Sequence, residues 1–282
     1  MALTNGDPQI KVGLIDGPVL KEHPDLSSAT LLELGPRSQG SCTKNGSAAC
    51  RHGTFVAGIL SAKRGSPAPA ICPGCTLLVR SIFLETTSGN ADLPSTTTEE
   101  LAQAIFECIE AGTWLINLSL AIAQPSSRTE RQLVQVLDHA LHRGVLVVAA
   151  AGNQGVIGST SITRHPWVVP VIACDSRGHP IAQSNFGSSI GQRGLSAPGE
   201  AITSLGTSGQ PITSSGTSFS APFVTGTIAL LWSRFPTATA TTLRVALTFS
   251  GPQRRKSIIP PLLNAWAAYQ HLASVHGTKS VL

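Results

Sequence analysis

Charge is scarce in this chain. Only 12% of its 282 residues are charged while 41% are hydrophobic, which excludes disorder over most of the length and provides for a sizeable core. The net charge is +5, but the basic residues are scattered singly. The one cluster, Arg254-Arg255-Lys256, reads as a solvated loop, so no nucleic acid is expected as a partner. No apolar run approaches the ~18 residues of a membrane span, and no membrane partner is expected. The start, Met1-Ala2-Leu3-Thr4-Asn5-Gly6, lacks the charged-then-apolar pattern of a signal peptide, so the expected location is cytoplasmic. There is no internal repeat and no break in composition, which favours one domain.

Six cysteines leave three readings open. Cys42 and Cys50 bracket a loop, and Cys72-Pro73-Gly74-Cys75 forms a C-x-x-C pair; each pair could be thiols, a loop disulfide or metal ligands. A cytoplasmic setting argues for thiols. Cys108 and Cys174 lie in apolar surroundings and are expected in the core.

Hydrophobic periodicity organises the chain into alternating elements. Strands are predicted at Gln9–Ile15, Thr76–Phe83, Trp114–Leu120, Val145–Ala151 and Val168–Ala173. Helices are predicted at Phe55–Ala62, Thr98–Ala111 (with a Thr96/Glu99 capping box), Glu130–Arg143, the run after Ser218, Thr241–Ser250 and Leu262–Leu272. Leu20–Cys50 is irregular. This alternation implies an α/β domain whose parallel sheet is covered on both faces.

Three residue types needed for nucleophilic acyl transfer fall at element ends. Asp16 ends a strand, His52 opens a helix, and Ser218 opens another within Gly216-Thr217-Ser218-Phe219-Ser220-Ala221-Pro222. Singly, each has a structural reading: Asp16 as a turn cap, His52 as a helix-start residue, Ser218 as an N-cap. Together they supply a nucleophile, a base and an orienting carboxylate in one of the known triad orders. Asn153, after a buried strand, could donate a side-chain N–H to an oxyanion.

The segments Val12-Gly13-Leu14-Ile15-Asp16-Gly17, His52-Gly53-Thr54-Phe55-Val56-Ala57-Gly58, Ala150-Ala151-Gly152-Asn153 and Gly216–Pro222 resemble the four signature motifs of subtilisin-like serine proteases. The resemblance covers about residues 9–272 and implies a single peptidase domain over 1–272, a short tail over 273–282, and a three-layer fold around a mostly parallel sheet. It implies Ser218 as nucleophile, His52 as base then acid, Asp16 as orienting carboxylate, and Asn153 with the Ser218 N–H as oxyanion hole. It further implies that Leu118, Ser119 and Leu120 pair with substrate backbone, that Ala150, Ala151 and Gly152 form one pocket wall, and that Arg164 stands at the pocket floor. An arginine there would favour a small or acidic residue before the cleaved bond; the alternative is that it points to solvent. His165-Pro166 resembles an X-Pro bond that is often cis in the family.

Other departures narrow the expectation. The loop Ser61–Cys75, with Lys63, Arg64 and three prolines, replaces what resembles a calcium loop and offers no carboxylate. No metal site and no required cofactor are expected, although calcium held by backbone carbonyls leaves no sequence trace. The absence of signal and propeptide patterns, with Asp16-Gly17-Pro18, His23-Pro24 and the Pro67–Pro73 stretch, is similar to cyanobactin-type precursor-peptide proteases. The expected partner is therefore a precursor peptide and the expected reaction leader removal. The alternatives are a degradative subtilase, a macrocyclase and an inactive peptide-binding relative. Only 35 residues separate Asp16 from His52, without helical periodicity, so a helical lid is not expected and hydrolysis is favoured over transpeptidation. Asn45-Gly46-Ser47 and Asn117-Leu118-Ser119 match glycosylation acceptors but are discounted in such a setting.

Overall fold

The computed structural model describes residues 3–35, 41–44, 46–85, 96–120, 130–248 and 257–277. Arg254-Arg255-Lys256, Asn45 and the last five residues lie outside these ranges. Seven strands form one sheet: β1 (Lys11–Asp16), β2 (Thr30–Glu33), β3 (Thr76–Ser81), β4 (Leu115–Leu118), β5 (Leu146–Ala150), β6 (Val168–Cys174) and β7 (Leu195–Pro198). Their order is β2-β3-β1-β4-β5-β6-β7, and every pairing is parallel. Val12, Leu14, Ile15, Val147, Val148 and Val171 are at most 1% exposed. Such continuous burial is what a sheet covered on both faces demands.

Helix α1 (Ala48–Ser61) packs with α6 (Thr217–Arg234), while α2 (Thr98–Glu110) packs with α3 (Arg131–Arg143). Helices α7 (Ala240–Thr248) and α8 (Ala265–His276) pair beyond α6. Two short helices, α4 (Ser161–Arg164) and α5 (Ser188–Arg193), flank β6, and a small antiparallel hairpin, β8 (Ile202–Ser204) with β9 (Ile212–Ser214), precedes α6.

The strand order decides where chemistry can occur. After β1 the chain builds β2 and β3 on one side of it, then crosses by α2 to build β4 on the other side. A crevice opens at the carboxyl ends of β1 and β4, where the direction of winding reverses. Asp16 ends β1, and Ser119 and Leu120 leave β4 at this crevice.

Several expectations are corrected. Helix α1 starts at Ala48, earlier than expected, because the Ser47 hydroxyl accepts from Cys50 N–H at 3.1 Å. The cap of α2 is Thr97, accepting from Glu100 N–H, not Thr96. Helix α8 begins at Ala265, capped by Asn264 after Pro260-Pro261, and runs to His276, so the division expected at residue 272 falls inside a helix. Strands β2, β7, β8 and β9 were not anticipated: each has three or four residues, too few for a periodic signal. Among the described residues no peptide bond is cis, so His165–Pro166 is trans. No helix among them is long and apolar enough to cross a membrane.

A buried cation ties two layers together. Arg80 on β3 is 3% exposed; its Nε donates to Glu107 at 2.5 Å and a terminal nitrogen to Glu100 at 2.8 Å, both on α2. Burial works to raise the Glu107 carboxyl, but hydrogen bonds from Arg80 and Gln103 outweigh it and hold it below its ordinary value. Arg80→Ala should destabilise the protein by roughly 2 kcal/mol in urea unfolding, less than a fully buried pair because both carboxylates reach solvent. Because the folded-state value is lowered, this stabilisation is present above the unfolded Glu value of about 4.3 and fades as pH falls through the lowered one. The difference between wild type and Arg80→Ala should therefore shrink in acid, and a difference independent of pH would contradict the pairing.

Candidate active site

The site is assembled by one close approach. Helix α1 crosses the turn after β1 so tightly that a Cβ on Gly53 would lie 2.3 Å from Gly17 O and 2.6 Å from Pro18 O. That approach sets His52, one residue earlier, against the end of β1. His52 Nδ1 lies 2.7 Å from Asp16 Oδ1, and the same oxygen accepts from Gly17 N–H at 2.6 Å. Asp16 is fully buried and its Oδ2 has no hydrogen-bond partner. A buried carboxylate with its charge drawn to Oδ1 favours the tautomer with the proton on His52 Nδ1, leaving Nε2 as the basic end.

The opposite wall is the start of α6. Gly216 precedes it at φ +147°, in the region where side chains are strained, and contributes no side-chain cap. Thr217 N–H and Thr217 Oγ1 both donate to Asn153 Oδ1, at 2.8 and 2.9 Å. With its oxygen so held, the exposed Asn153 keeps its amide nitrogen as the side-chain donor, 3.1 Å from where a Cβ on Gly216 would stand. Thr217 Oγ1 in turn accepts from Gly152 N–H at 3.1 Å, which locks the end of β5 to α6. The Ser218 N–H, between Thr217 and Phe219, is one of the first-turn donors that a helix leaves unsatisfied. Ser218 itself is half-buried. Phe219 packs on the His52 ring, with centroids 5.3 Å apart, and on Phe55 at 4.5 Å, joining the two walls. Asp16, His52, Asn153 and Ser218 are thereby brought to one crevice.

The predicted subsite residues are placed as follows. Sheet pairing of β4 ends at Leu118, one strand residue earlier than its neighbours would allow, so Ser119 and Leu120 run past the sheet. Ala150, Ala151 and Gly152 are buried at the end of β5. Arg164 closes α4 and is half-buried; its guanidinium turns back along the loop to Ser159 O at 3.1 Å. Arg193 on α5 holds the carbonyls of Thr163 and Arg164 at 3.2 and 2.9 Å.

Sequence reasoning missed several residues here. Buried Asn185 braces the loop after β5, accepting from Gln154 N–H and Val156 N–H and donating to Ala151 O and the Gln154 side chain. Thr217 orients Asn153. Asn117, read only as part of a glycosylation match, is fully buried in β4. A polar residue inside an otherwise apolar strand was the available signal for it.

The cysteines divide. Cys42 and Cys50 form a disulfide with Cα atoms 5.5 Å apart, against the cytoplasmic argument for thiols; it ties the preceding loop to the first turn of α1. Glu85 shapes the same loop through Thr43, Lys44 and Ser47. Cys42, Cys50 and Glu85 are the only grouping of potential ligands close enough to share a metal among the described residues, but the sulfurs are bonded to each other. Cys72 and Cys75 are free and buried; the Cys72 thiol donates to Cys75, which raises Cys72 and lowers Cys75. Cys108 is in the core, its thiol pushed up to about 12 by burial, and Cys174 is raised for the same reason.

Comparison with known proteins agrees with this architecture. The subtilase family model, peptidase S8, matches residues 7–257, and the chain belongs to that family of subtilisin-like serine proteases. It is 31% identical over 242 residues to subtilisin E of Bacillus subtilis (strain 168), a match covering 83% of this chain and 58% of that protein. This chain thus spans a little over half the length of that relative. Among solved structures, the protease domain of PatA, a patellamide maturation protease solved as a serine-to-alanine mutant, is 31% identical with a TM-score of 0.86, covering 99% of this chain and 100% of that one. The prenylagaramide maturation protease PagA is 28% identical with a TM-score of 0.82, covering 95% and 96%.

Gly53→Ala tests the close approach. The added methyl should force α1 away from the Gly17–Pro18 turn, lowering kcat/KM by about a hundredfold while costing about 1–3 kcal/mol of stability. Chemical denaturation and steady-state kinetics on the same preparation measure both. Unchanged kinetics would mean that the Asp16–His52 geometry does not depend on this contact.

Proposed function

We propose that this chain is a serine endopeptidase acting through an acyl-enzyme on Ser218, and that it removes the leader from a ribosomally made precursor peptide. In this reading Ser218 Oγ attacks the peptide carbonyl as His52 Nε2 takes its proton. The imidazolium is stabilised by Asp16 Oδ1, bonded to Nδ1. The new oxyanion is held by the Ser218 N–H and the Asn153 amide. Collapse expels the amine, which receives the proton from His52, and water activated by the same base then releases the acyl group. Substrate backbone pairs with Ser119 and Leu120 beyond the end of β4 as an added strand.

The observation that carries the substrate class is the likeness, over nearly the whole chain, to PatA and PagA, both maturation proteases. Hydrolysis is preferred to macrocyclisation because the described residues between β1 and α1 contain only β2 and one 3-10 turn, Pro24–Leu26, and no helix to shield an acyl-enzyme. The second reading, a degradative protease, is favoured by the identity to subtilisin E. Arg164, near Ser159 on the pocket loop, would restrict the pocket to small or acidic side chains.

The deciding measurement is a mass-spectrometric cleavage profile of an unbiased peptide library, with Ser218→Ala as control. A narrow set of cuts after small or acidic residues supports maturation, and Arg164→Gly should then broaden it toward large apolar residues. Broad cutting after large residues by the wild type would make the protein degradative and remove Arg164 from the pocket. Asn153→Ala should lower kcat by about a hundredfold or more with KM little changed, and a KM-only effect would exclude its oxyanion role.

A further inference from the structure

Helix α6 contains a proline in its second turn, Pro222. Proline has no N–H, and its ring presses on the carbonyl four residues earlier. That carbonyl belongs to Ser218. The backbone of the proposed nucleophile therefore lacks the helix hydrogen bond that would fix its peptide plane, at a position where small rotations move Oγ relative to His52.

A side chain from the sheet supplies the missing donor. Ser119 Oγ donates to Ser218 O at 2.7 Å. Ser119 Oγ itself accepts from Asn117 Nδ2 at 2.7 Å, and Asn117 Oδ1 accepts from Thr225 Oγ1 at 2.8 Å. Ser119, Asn117 and Thr225 are all fully buried. The direction of every bond follows from the one before. Thr225 takes the Asn117 oxygen, which turns the Asn117 nitrogen to Ser119. With a lone pair so occupied, the single Ser119 proton is directed to Ser218 O. The chain begins and ends on α6, seven residues apart, and straddles Pro222.

We infer that Ser119 and Asn117 are positioning residues for the nucleophile: their side chains replace the helix bond that Pro222 removes and hold the first turn of α6 in register with His52. This is a role separate from any pairing of the Ser119 backbone with substrate, and it rests on Ser218 being the nucleophile. The use of proline gives the arrangement a purpose. An ordinary i to i−4 bond would tie the Ser218 carbonyl to its own helix, whereas the hydroxyl ties it to β4, the strand that leads into the substrate-pairing segment. Nucleophile and substrate are then located by the same strand.

The test is a cycle of Ser119→Ala, Pro222→Ala and the double variant. Each is assayed on a fluorogenic peptide that the wild type cleaves, with phosphonate labelling of Ser218 as an independent check of the nucleophile. Ser119→Ala keeps its backbone groups, so KM should stay within about twofold while kcat and the labelling rate fall about tenfold. Pro222→Ala restores an N–H at position 222, so the double variant should recover to within about threefold of wild type. Such recovery is not expected if Ser119 only fills space. An unchanged kcat in Ser119→Ala, or losses that simply add in the double variant, would overturn the inference. Should Ser119→Ala not fold, Thr225→Val removes the first donor of the chain; it should lower kcat about threefold at constant KM, and an unaltered kcat there would equally overturn it. Failure of wild-type Ser218 to label would instead refute the nucleophile assignment.

Discussion

The crossing of α1 over the turn after β1 sets the distance on which the rest of the site depends. Gly53 faces the Gly17 and Pro18 carbonyls with no room for a side chain, so the helix lies as near the carboxyl end of β1 as backbone allows. Only at that separation can His52 Nδ1 meet a carboxylate fixed at the end of a buried strand. The disulfide Cys42–Cys50, the Ser47 cap and the Glu85 contacts all act on the first turn of the same helix. Burial works against the Glu85 charge, but bonds from Thr43, Lys44 and Ser47 hold it ionised below the ordinary range. The loop before α1 is thus organised by a charge and a covalent bond rather than by apolar packing.

The other wall follows a different logic. The start of α6 has no capping side chain of its own, and its N–H groups and one carbonyl are managed by neighbours. Thr217 binds Asn153, the Ser218 N–H stays available to the crevice, and the Ser218 carbonyl goes to Ser119. A helix start left open in this way retains donors for developing negative charge, provided that buried hydrogen bonds from β4 and β5 hold it rigid. The two functions, donation to a ligand and anchoring to the sheet, are divided between the backbone and side-chain groups of two consecutive residues, Thr217 and Ser218.

Around these walls sit contacts that brace neighbouring loops and layers. Asn185 and Arg193 fix the two ends of the loop that carries Arg164, one from the segment between β6 and α5 and one from α5 itself. The buried Arg80 joins β3 to α2 next to the strand that ends in Asp16. The free pair Cys72 and Cys75 lies before β3, where a Cβ on Gly6 would meet Cys75 Sγ, so the N-terminal segment closes over it.

What the sequence determined by itself was the part written in long periodic runs and local motifs. Five strands, the principal helices and the four segments bearing Asp16, His52, Asn153 and Ser218 were legible, because burial on both faces and the stereochemistry of turns act on adjacent residues. The tertiary structure alone decided the rest. Strands β2 and β7, four residues each, are held extended by pairing with β3 and β6 at the two edges of the sheet rather than by their own local pattern. The trans bond at His165–Pro166 and the bonding of Cys42 to Cys50 depend on surroundings that spacing does not encode. The chain from Thr225 through Asn117 and Ser119 to Ser218 joins residues about a hundred positions apart. Its members look like ordinary polar residues until burial removes water and leaves each donor a single acceptor.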